Sequence, residues 1–128
     1  MRFVASEDAP SPAGHYSQGV VHHGLVYVSG QLPIDPLSGV VLDADIETQT
    51  VRTLRNVEAI LLEAGSGLDQ VLSLTIFVTE RTDWTIVNTV CERMFGSHRP
   101  ARAIVGGADL KPGCRIEITA IGAIPDRP

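Results

Sequence analysis

Several short runs of the chain alternate hydrophobic and polar residues, a period of two that is typical of β-strands covered on one face. Residues 16–21 and 25–29 are two runs rich in β-forming residues, and Gly24 in the His-His-Gly segment between them can adopt the positive φ of a tight turn. We predict that these two runs pair as an antiparallel hairpin. Residues 68–80 alternate hydrophobic and polar residues, which predicts a strand with one face against a helix.

A longer segment, residues 43–65, repeats its apolar residues every three to four positions, as an amphipathic helix does. Asp43 or Asp45 can cap the N-terminus of this helix, and Gly65 can end it. The residues predicted to face the core share one side of the helix: Ile46, Thr50, Leu54, Val57 and Leu61.

The same helical period recurs in residues 82–96, with Thr82 or Asp83 as the candidate cap. This second helix is predicted to follow the strand at residues 68–80. Its predicted inward-facing residues are Ile86, Val90 and Phe95.

Two further strand-like runs, residues 101–110 and 114–124, end the chain and are separated by the turn residues 111–113. The predicted order is therefore β-β-α-β-α-β-β, with a short extra strand at residues 2–6. This order predicts an α+β fold in which a mixed sheet of five to six strands carries two helices on one face.

We predict a single domain over residues 1–128, with a tail at residues 124–128. The predicted strands carry apolar residues on both faces, so the sheet face without helices needs another cover. An oligomer that buries this open face against copies of the same chain is the expected solution.

Composition and charge narrow the class of partner. The chain has 44% hydrophobic and 20% charged residues, which is ordinary for a globular domain, and its net charge is −5 with Lys111 as the single lysine. Because basic residues do not cluster, a nucleic acid is not an expected partner. Two cysteines, Cys91 and Cys114, and an N-terminus without an apolar signal segment lead us to expect free thiols, a cytoplasmic location and no membrane partner.

Arg102 stands out because it begins an apolar run directly after a proline-led turn. A guanidinium near the interior needs an anionic partner. One interpretation is an ion pair with Glu117, if the last two strands are neighbours across their turn. The other is a ligand site, in which Arg102 binds a substrate carboxylate and Glu117 holds a water or a proton. The pattern alone leaves both open.

The remaining reactive side chains give weaker signals. Cys91 lies among apolar helix positions, where a free cysteine is usually a small buried hydrophobe. The histidines do not show the spacing of metal ligands on a regular element, so no metal site is predicted. They are His15, His22, His23 and His98, of which the middle two occupy the hairpin tip.

Six motifs occur in order along the chain: GHYSQGV, YVSGQLPIDPLSG, QTVRTLRNVEAILLEAG, VLSLTIFVTERTDWTIVN, RPARAIV and RIEITAIGA. Together they resemble the RidA family, also called YjgF/YER057c/UK114, over residues 11–123. The resemblance implies a chorismate-mutase-like α+β fold and a homotrimer with ligand clefts between subunits. It also implies hydrolysis of reactive 2-imino acids and their enamine tautomers to 2-keto acids and ammonia, a metabolite-damage control role without metal or organic cofactor.

The same resemblance implies roles for individual residues. Arg102 matches the arginine that binds the substrate carboxylate, and Glu117 matches the acid that positions or activates the attacking water. Ile104 stands where many members have a cysteine. A thiol role is therefore excluded at this position, and the residue is implied to contact substrate mainly through its backbone. The residues implied to bind substrate are Tyr16, Ser29, Gly30, Asn88 and Ile104.

Two other positions depart from the family pattern. His15 replaces a proline before the tyrosine, and Arg99 replaces an aromatic residue that often precedes Pro100. Arg99 therefore adds a second cation near the expected carboxylate site. It either selects longer or dianionic substrates or points into solvent.

The leading hypothesis is a deaminase of 2-iminobutanoate, 2-iminopropanoate and similar imines. A second is a related deaminase or hydrolase of another small carboxylate, such as aminoacrylate. A third is a non-catalytic module that binds 2-keto acids, for which Arg102 is needed and Glu117 is not. Ribonuclease activity, described for some relatives, fits poorly with the acidic net charge.

Overall fold

The computed structural model describes residues 1–126 and contains one six-stranded sheet and two α-helices. Short 3₁₀ turns at Leu68–Gln70 and Arg81–Asp83 precede the fourth strand and the second helix. In chain order the elements are β1 (Arg2–Val4), β2 (Gly19–His22), β3 (Leu25–Gln31), α1 (Ile46–Glu63), β4 (Val71–Val78), α2 (Trp84–Phe95), β5 (Ala101–Val105) and β6 (Ile116–Ala123).

The strands lie in the order β1-β2-β3-β6-β4-β5. All neighbouring pairs are antiparallel except β4 and β5, which are parallel and are connected through α2. The prediction of a mixed sheet with two helices is confirmed. One expectation is wrong: β5 and β6 are not neighbours, because the crossover through α2 places β5 beyond β4 at the sheet edge.

The predicted hairpin joins β2 and β3. His23 has φ 49° and Gly24 has φ 74°, so both central residues are left-handed, as a two-residue type I′ turn requires. The first strand of this hairpin, β2, begins later than predicted, at Gly19. Residues 16–18 belong instead to a loop in which the Gln18 side chain bonds the backbone of Ser6.

Helix α1 begins as predicted from its sequence. Asp45 is the N-cap, and its Oδ1 accepts a hydrogen bond of 2.9 Å from the Thr48 backbone N–H. This bond lowers the pKa of the Asp45 carboxyl. Ala64 ends the helix, and Gly65 follows with φ 88°, the left-handed conformation that glycine adopts most easily.

Helix α2 starts where expected but uses its cap differently. Asp83 precedes the helix, yet its carboxylate accepts two hydrogen bonds from Arg115 Nη2, at 2.9 and 3.1 Å, and caps no helix N–H. The prediction that Ile86 faces inward is wrong, since 44% of it is exposed. Val87 and Val90 form the buried side of α2, whereas Phe95 is only half-buried.

The core fills the space between the helices and one face of the sheet. Val28, Ile76 and Ile118 on the sheet meet Leu54 and Val57 of α1, and all five are almost inaccessible to solvent. Cys91 and Cys114 are both buried and unpaired, which confirms the expected free thiols.

The other face of the sheet carries no helix in residues 1–126, so the apolar open face predicted from the sequence is present. Phe3 is 69% exposed, Tyr27 45% and Val105 44%, while Phe77 and Ile121 between them are half-buried. Register pairs place these residues on the same face. Phe3 pairs with Val20, Val20 with Tyr27, and Tyr27 with Ile121. Ile121 pairs with Ser73, four residues before Phe77 on the same strand, and Phe77 pairs with Val105.

The predicted tail at residues 124–128 is described only in part. The backbone N–H of Ile124 donates to Gly24 O at 2.8 Å, which ties the start of the tail to the hairpin turn. Residues 127–128 lie outside the described part of the chain.

Candidate functional site

A cavity of about 470 Å³ lies between α2 and the segment that leads into β5. Its size falls in the range of small-molecule sites. Six of the residues that line it have side chains that can form hydrogen bonds or ion pairs with a ligand: Asn88, Cys91, Glu92, His98, Arg99 and Arg102.

Arg102 points to the helix side of the sheet, toward this cavity. It pairs in register with Leu74 of β4, a core residue, so both side chains lie on the face that α2 covers. Its Nη1 donates to Asn88 Oδ1 at 2.9 Å, and its guanidinium carbon lies 5.5 Å from the centre of the Trp84 ring. These contacts hold a planar guanidinium in place.

The Arg102 guanidinium has no carboxylate partner within salt-bridge distance in residues 1–126. Three other arginines in the same range do have one. A guanidinium fixed by an amide and an indole ring, beside a cavity and without an acid, is suited to bind a carboxylate in bidentate fashion.

Asn88 is itself oriented by α2. Its Nδ2 donates to Glu92 Oε1 at 3.1 Å, one helical turn further on, so its Oδ1 is left to face Arg102. Residues Trp84, Asn88 and Glu92 are spaced by four and share one side of the helix. The spacing was visible in the sequence, and it is the signal by which Trp84 and Glu92, absent from the predicted site, could have been found.

Cys91 lines the same cavity beside the guanidinium of Arg102. Burial raises the pKa of the Cys91 thiol, and the positive charge of Arg102 offsets only part of this rise. The thiol therefore stays protonated at neutral pH, which is unfavourable for a nucleophile.

Glu117 lies on the opposite, open face of the sheet. It pairs in register with Phe77, which is three residues from Leu74 along β4 and so points the other way. Its carboxylate lies against Gly30: a Cβ at that position would fall on Oε2 and within 3.1 Å of Cδ. The register shift between Val28 and Gln31 interrupts the β3–β6 pairing at this same point.

Ser29 precedes Gly30, the residue that Glu117 contacts, and it bonds the loop that carries Tyr16. Ser29 Oγ donates to Ser17 O at 2.6 Å, and Ser29 N donates to Gln18 O at 2.9 Å. These bonds hold the loop that carries Tyr16 against β3, next to Gly30. The Tyr16 ring is half exposed, and its hydroxyl oxygen accepts a bond of 3.3 Å from Ala13 N.

The predicted site residues thus form two separate groups within one chain. Arg102 and Asn88 lie together on the helix side, and Glu117 lies with Gly30 on the open side. An ion pair between Arg102 and Glu117 across adjacent strands was wrong, since β4 lies between them. Two strand spacings and three residues of register separate their Cα atoms by roughly 14 Å.

Ile104 lies on the same edge strand as Arg102. Its side chain pairs in register with Ile76 and packs on the core, so any contact with a ligand falls to its backbone. In the described chain, β5 has a strand on one side only. Its far edge is therefore open to a ligand or to another chain.

His98 and Arg99 were not among the predicted binding residues, and both line the cavity. His98 Nε2 donates to Val71 O at 2.7 Å, which fixes the imidazole as part of the wall. Over residues 1–126 the structure brings together no group of three or more potential metal ligands, and none of its helices is long and apolar enough to cross a membrane.

Comparisons with known proteins agree with this fold. The family model described as Endoribonuclease L-PSP matches residues 6–124. The chain is 39% identical over 121 residues to 2-iminobutanoate/2-iminopropanoate deaminase of Salmonella typhimurium, with 92% of this chain and 94% of the relative covered.

Two solved structures from Escherichia coli are similar over nearly their whole length. The YjgF gene product superposes with a TM-score of 0.90 at 36% identity, covering 96% of this chain and 98% of the other. The structure of TdcF with bound serine has the same TM-score, 0.90, at 32% identity and the same coverage, 96% and 98%. The protein is a member of the Endoribonuclease L-PSP family, which is the YjgF/RidA family that its motifs resemble.

Proposed function

We propose that this protein hydrolyses reactive 2-imino acids, such as 2-iminobutanoate and 2-iminopropanoate, to 2-keto acids and ammonia. The observation that carries the proposal is Arg102, held by Asn88 and Trp84 beside a cavity and without a carboxylate within salt-bridge distance in the described chain. This is an arrangement for a ligand that brings its own carboxylate. The deaminase relative from Salmonella supports this choice of ligand.

The reaction needs a proton-transfer group as well as a carboxylate clamp. Glu117 is the candidate, but it lies on the other face of its own sheet. We therefore propose a homotrimer with clefts between subunits, in which the edge strand β5 of one copy brings Arg102 toward Glu117 of the next. The apolar open face supports this assembly, because three copies could bury it around a common axis.

In such a cleft the chemistry asks little of the protein. Arg102 orients the substrate through its carboxylate, and the protonated imine carbon is already electrophilic. Glu117 accepts a proton from water as the water oxygen bonds to that carbon. The same carboxyl then returns the proton to the amino nitrogen. As the C–N bond breaks, the carboxylate takes the hydroxyl proton, the C=O bond forms, and the 2-keto acid and ammonia leave; the proton of the carboxyl then passes to the ammonia, which becomes ammonium. No metal or organic cofactor is needed for these steps.

A second candidate is a module that binds 2-keto acids without turnover. The geometry of a single chain favours it, because the Arg102 cavity is formed by one copy and does not include Glu117. A related deaminase of another small carboxylate, such as aminoacrylate, would keep Arg102 and differ in the residues around it. Ribonuclease activity has less support, since the net charge is −5 and Lys111 is the single lysine.

The test generates 2-iminobutanoate in situ with an amino-acid dehydratase or oxidase and traps what remains with semicarbazide. Wild-type protein should lower the yield of trapped imine, and Arg102→Ala should lose roughly 100-fold or more of kcat/KM, as expected for a lost bidentate charge contact. Arg55→Ala, at an exposed arginine of α1 paired with Glu58, is the matched control. Wild-type protein indistinguishable from buffer would reject the deaminase. Binding of 2-oxobutanoate that needs Arg102 but not Glu117 would then favour the module.

A further inference from the structure

We propose that Arg99 forms a second anion subsite in the Arg102 cavity and gives the protein a preference for 2-imino acids with a second carboxylate, of four- or five-carbon length. This rests on the proposed function for the identity of the reaction. The subsite itself rests on the cavity, which both Arg99 and Arg102 line.

Five arginines of residues 1–126 have no carboxylate within salt-bridge distance, and of these only Arg99 and Arg102 line the cavity. The other three are Arg2, Arg52 and Arg81. Arg55, Arg93 and Arg115 each have a carboxylate at 2.7 to 3.1 Å. Neither Arg99 nor Arg102 has one within salt-bridge distance in residues 1–126. Two guanidinium groups without acids on one cavity leave both positive charges available to a ligand.

The spacing of the two residues suits a short diacid. Arg99 lies three positions before Arg102, so their Cα atoms are at most about 11 Å apart. Arg99 and Pro100 precede β5, which begins at Ala101, so the alternation of sides along a strand does not separate Arg99 from Arg102. Two long side chains on such a segment can close on the two ends of a four- or five-carbon diacid, the α-carboxylate on Arg102 and the distal one on Arg99.

The one carboxylate that lines the cavity, Glu92, lowers its net positive charge but lies beyond salt-bridge distance of both arginines. Glu92 accepts a hydrogen bond from Asn88 Nδ2 at 3.1 Å, and this bond belongs to the chain of contacts that orients Arg102. The volume of about 470 Å³ also exceeds what a three-carbon imino acid fills. The extra room and the extra positive charge therefore occur in the same cavity.

Equilibrium binding of stable keto acids tests the subsite without requiring turnover. Titration calorimetry should give wild-type protein a lower Kd for 2-oxoglutarate than for 2-oxobutanoate. Arg99→Gln should weaken binding of 2-oxoglutarate roughly 1.5- to fivefold, the range for an exposed ion pair, and leave binding of 2-oxobutanoate unchanged. Arg55→Gln, which removes the same charge from α1, should leave both values unchanged.

Salt dependence separates a charge effect from a change of shape. Raising ionic strength should reduce the preference for 2-oxoglutarate in wild-type protein, and Arg99→Lys should keep part of it, since the charge remains without the fork. Equal affinities for the two keto acids in wild type, or an equal loss of both in Arg99→Gln, would overturn the subsite.

Turnover distinguishes failure of the inference from failure of the proposed function. If both proposals hold, wild-type protein should hydrolyse 2-iminoglutarate with a lower KM than 2-iminobutanoate. Arg99→Gln should raise the KM for 2-iminoglutarate and leave the KM for 2-iminobutanoate unchanged. If both imines are hydrolysed with equal KM and Arg99→Gln changes neither, the proposed function stands and the subsite is rejected. If neither imine is hydrolysed while the keto-acid preference persists, the subsite stands on a binding protein.

Discussion

The region around Arg102 and the region around Glu117 differ in how complete each one is within a single chain. Arg102 lies beside a cavity and is held by Asn88 and Trp84, all contributed by α2 and β5 of the same copy. Glu117 lies on an open sheet face against Gly30. The Arg102 region thus has a cavity within one chain, whereas the Glu117 region takes part in the proposed reaction only where another chain covers it.

The proposed deaminase reaction needs Arg102 and Glu117 at one substrate, but a single chain keeps them apart. The proposal therefore depends on an assembly of several copies. The proposed carboxylate clamp, Arg102, and the proposed proton-transfer group, Glu117, lie on opposite faces of one sheet and cannot act on one molecule within a single chain. They can do so when the edge strand of one copy meets the open face of another. The following substitutions affect the two regions separately.

Gly30→Ala should have the largest effect, and it should damage only the Glu117 region. A Cβ at residue 30 falls on the Glu117 carboxylate, so the side chain must move. We expect kcat/KM to fall about tenfold or more and the free energy of unfolding to drop by about 1–3 kcal/mol, as overpacking does. Binding of 2-oxobutanoate to the Arg102 cavity should change little. Steady-state kinetics, urea unfolding and calorimetry measure the three quantities.

Two controls belong with Gly30→Ala. Gly14→Ala adds the same methyl group, but there the nearest atom, in the Tyr16 ring, lies 3.5 Å from the new Cβ. This substitution should be tolerated. In a Glu117→Ala background, Gly30→Ala should cost much less stability, because the clashing carboxylate is gone. Equal costs in both backgrounds would contradict the contact.

Trp84→Ala should have a smaller effect, confined to the Arg102 region. Loss of the ring below the guanidinium removes about 0.5–1 kcal/mol of cation–π attraction at a partly exposed site. We expect KM for the imine to rise roughly two- to fivefold with kcat less affected, and Trp84→Phe to recover most of the loss. An unchanged KM in Trp84→Ala would show that the ring does not hold Arg102.

Asp45→Ala should have the smallest effect and touch neither region. The pKa of Asp45 is lowered in the folded protein by its bond from the Thr48 N–H, so the ionised carboxylate stabilises the fold. This contribution is present above the pKa of the unfolded chain and disappears as pH falls through the lower pKa of the folded chain. Asp45→Ala should therefore lower Tm at pH 7, and the difference from wild type should vanish in strong acid. A Tm difference independent of pH would contradict this role.

The fold could be predicted well because its signals are local. Gly24 and the cap at Asp45 act through their own backbone conformation and hydrogen bonds, and both lie where the pattern placed them. Ile86 was assigned inward because it fits a helical period. The period gives a helix face only to within about one residue, and Val87 takes the buried position.

The arrangement of the candidate site could be predicted only in part. The motifs identified Arg102 and Glu117 as functional candidates, but which strand lies beside β6 is decided by the crossover through α2. That connection depends on packing between distant segments, and periodicity carries no information about it. Trp84 was overlooked because its contact with Arg102 joins a helix to an edge strand.

The central claim is that Arg102 and Glu117 act together only across two copies of the chain, and mixed assemblies test it most directly. Arg102→Ala and Glu117→Ala should each be inactive alone. Unfolded together in equal amounts and refolded, they should recover roughly a quarter of the wild-type rate, because random mixing places an intact Arg102 against an intact Glu117 at one interface in four. Size measurements and differently tagged variants establish that mixed assemblies have formed. Mixed assemblies that remain as inactive as the parent variants would contradict the claim.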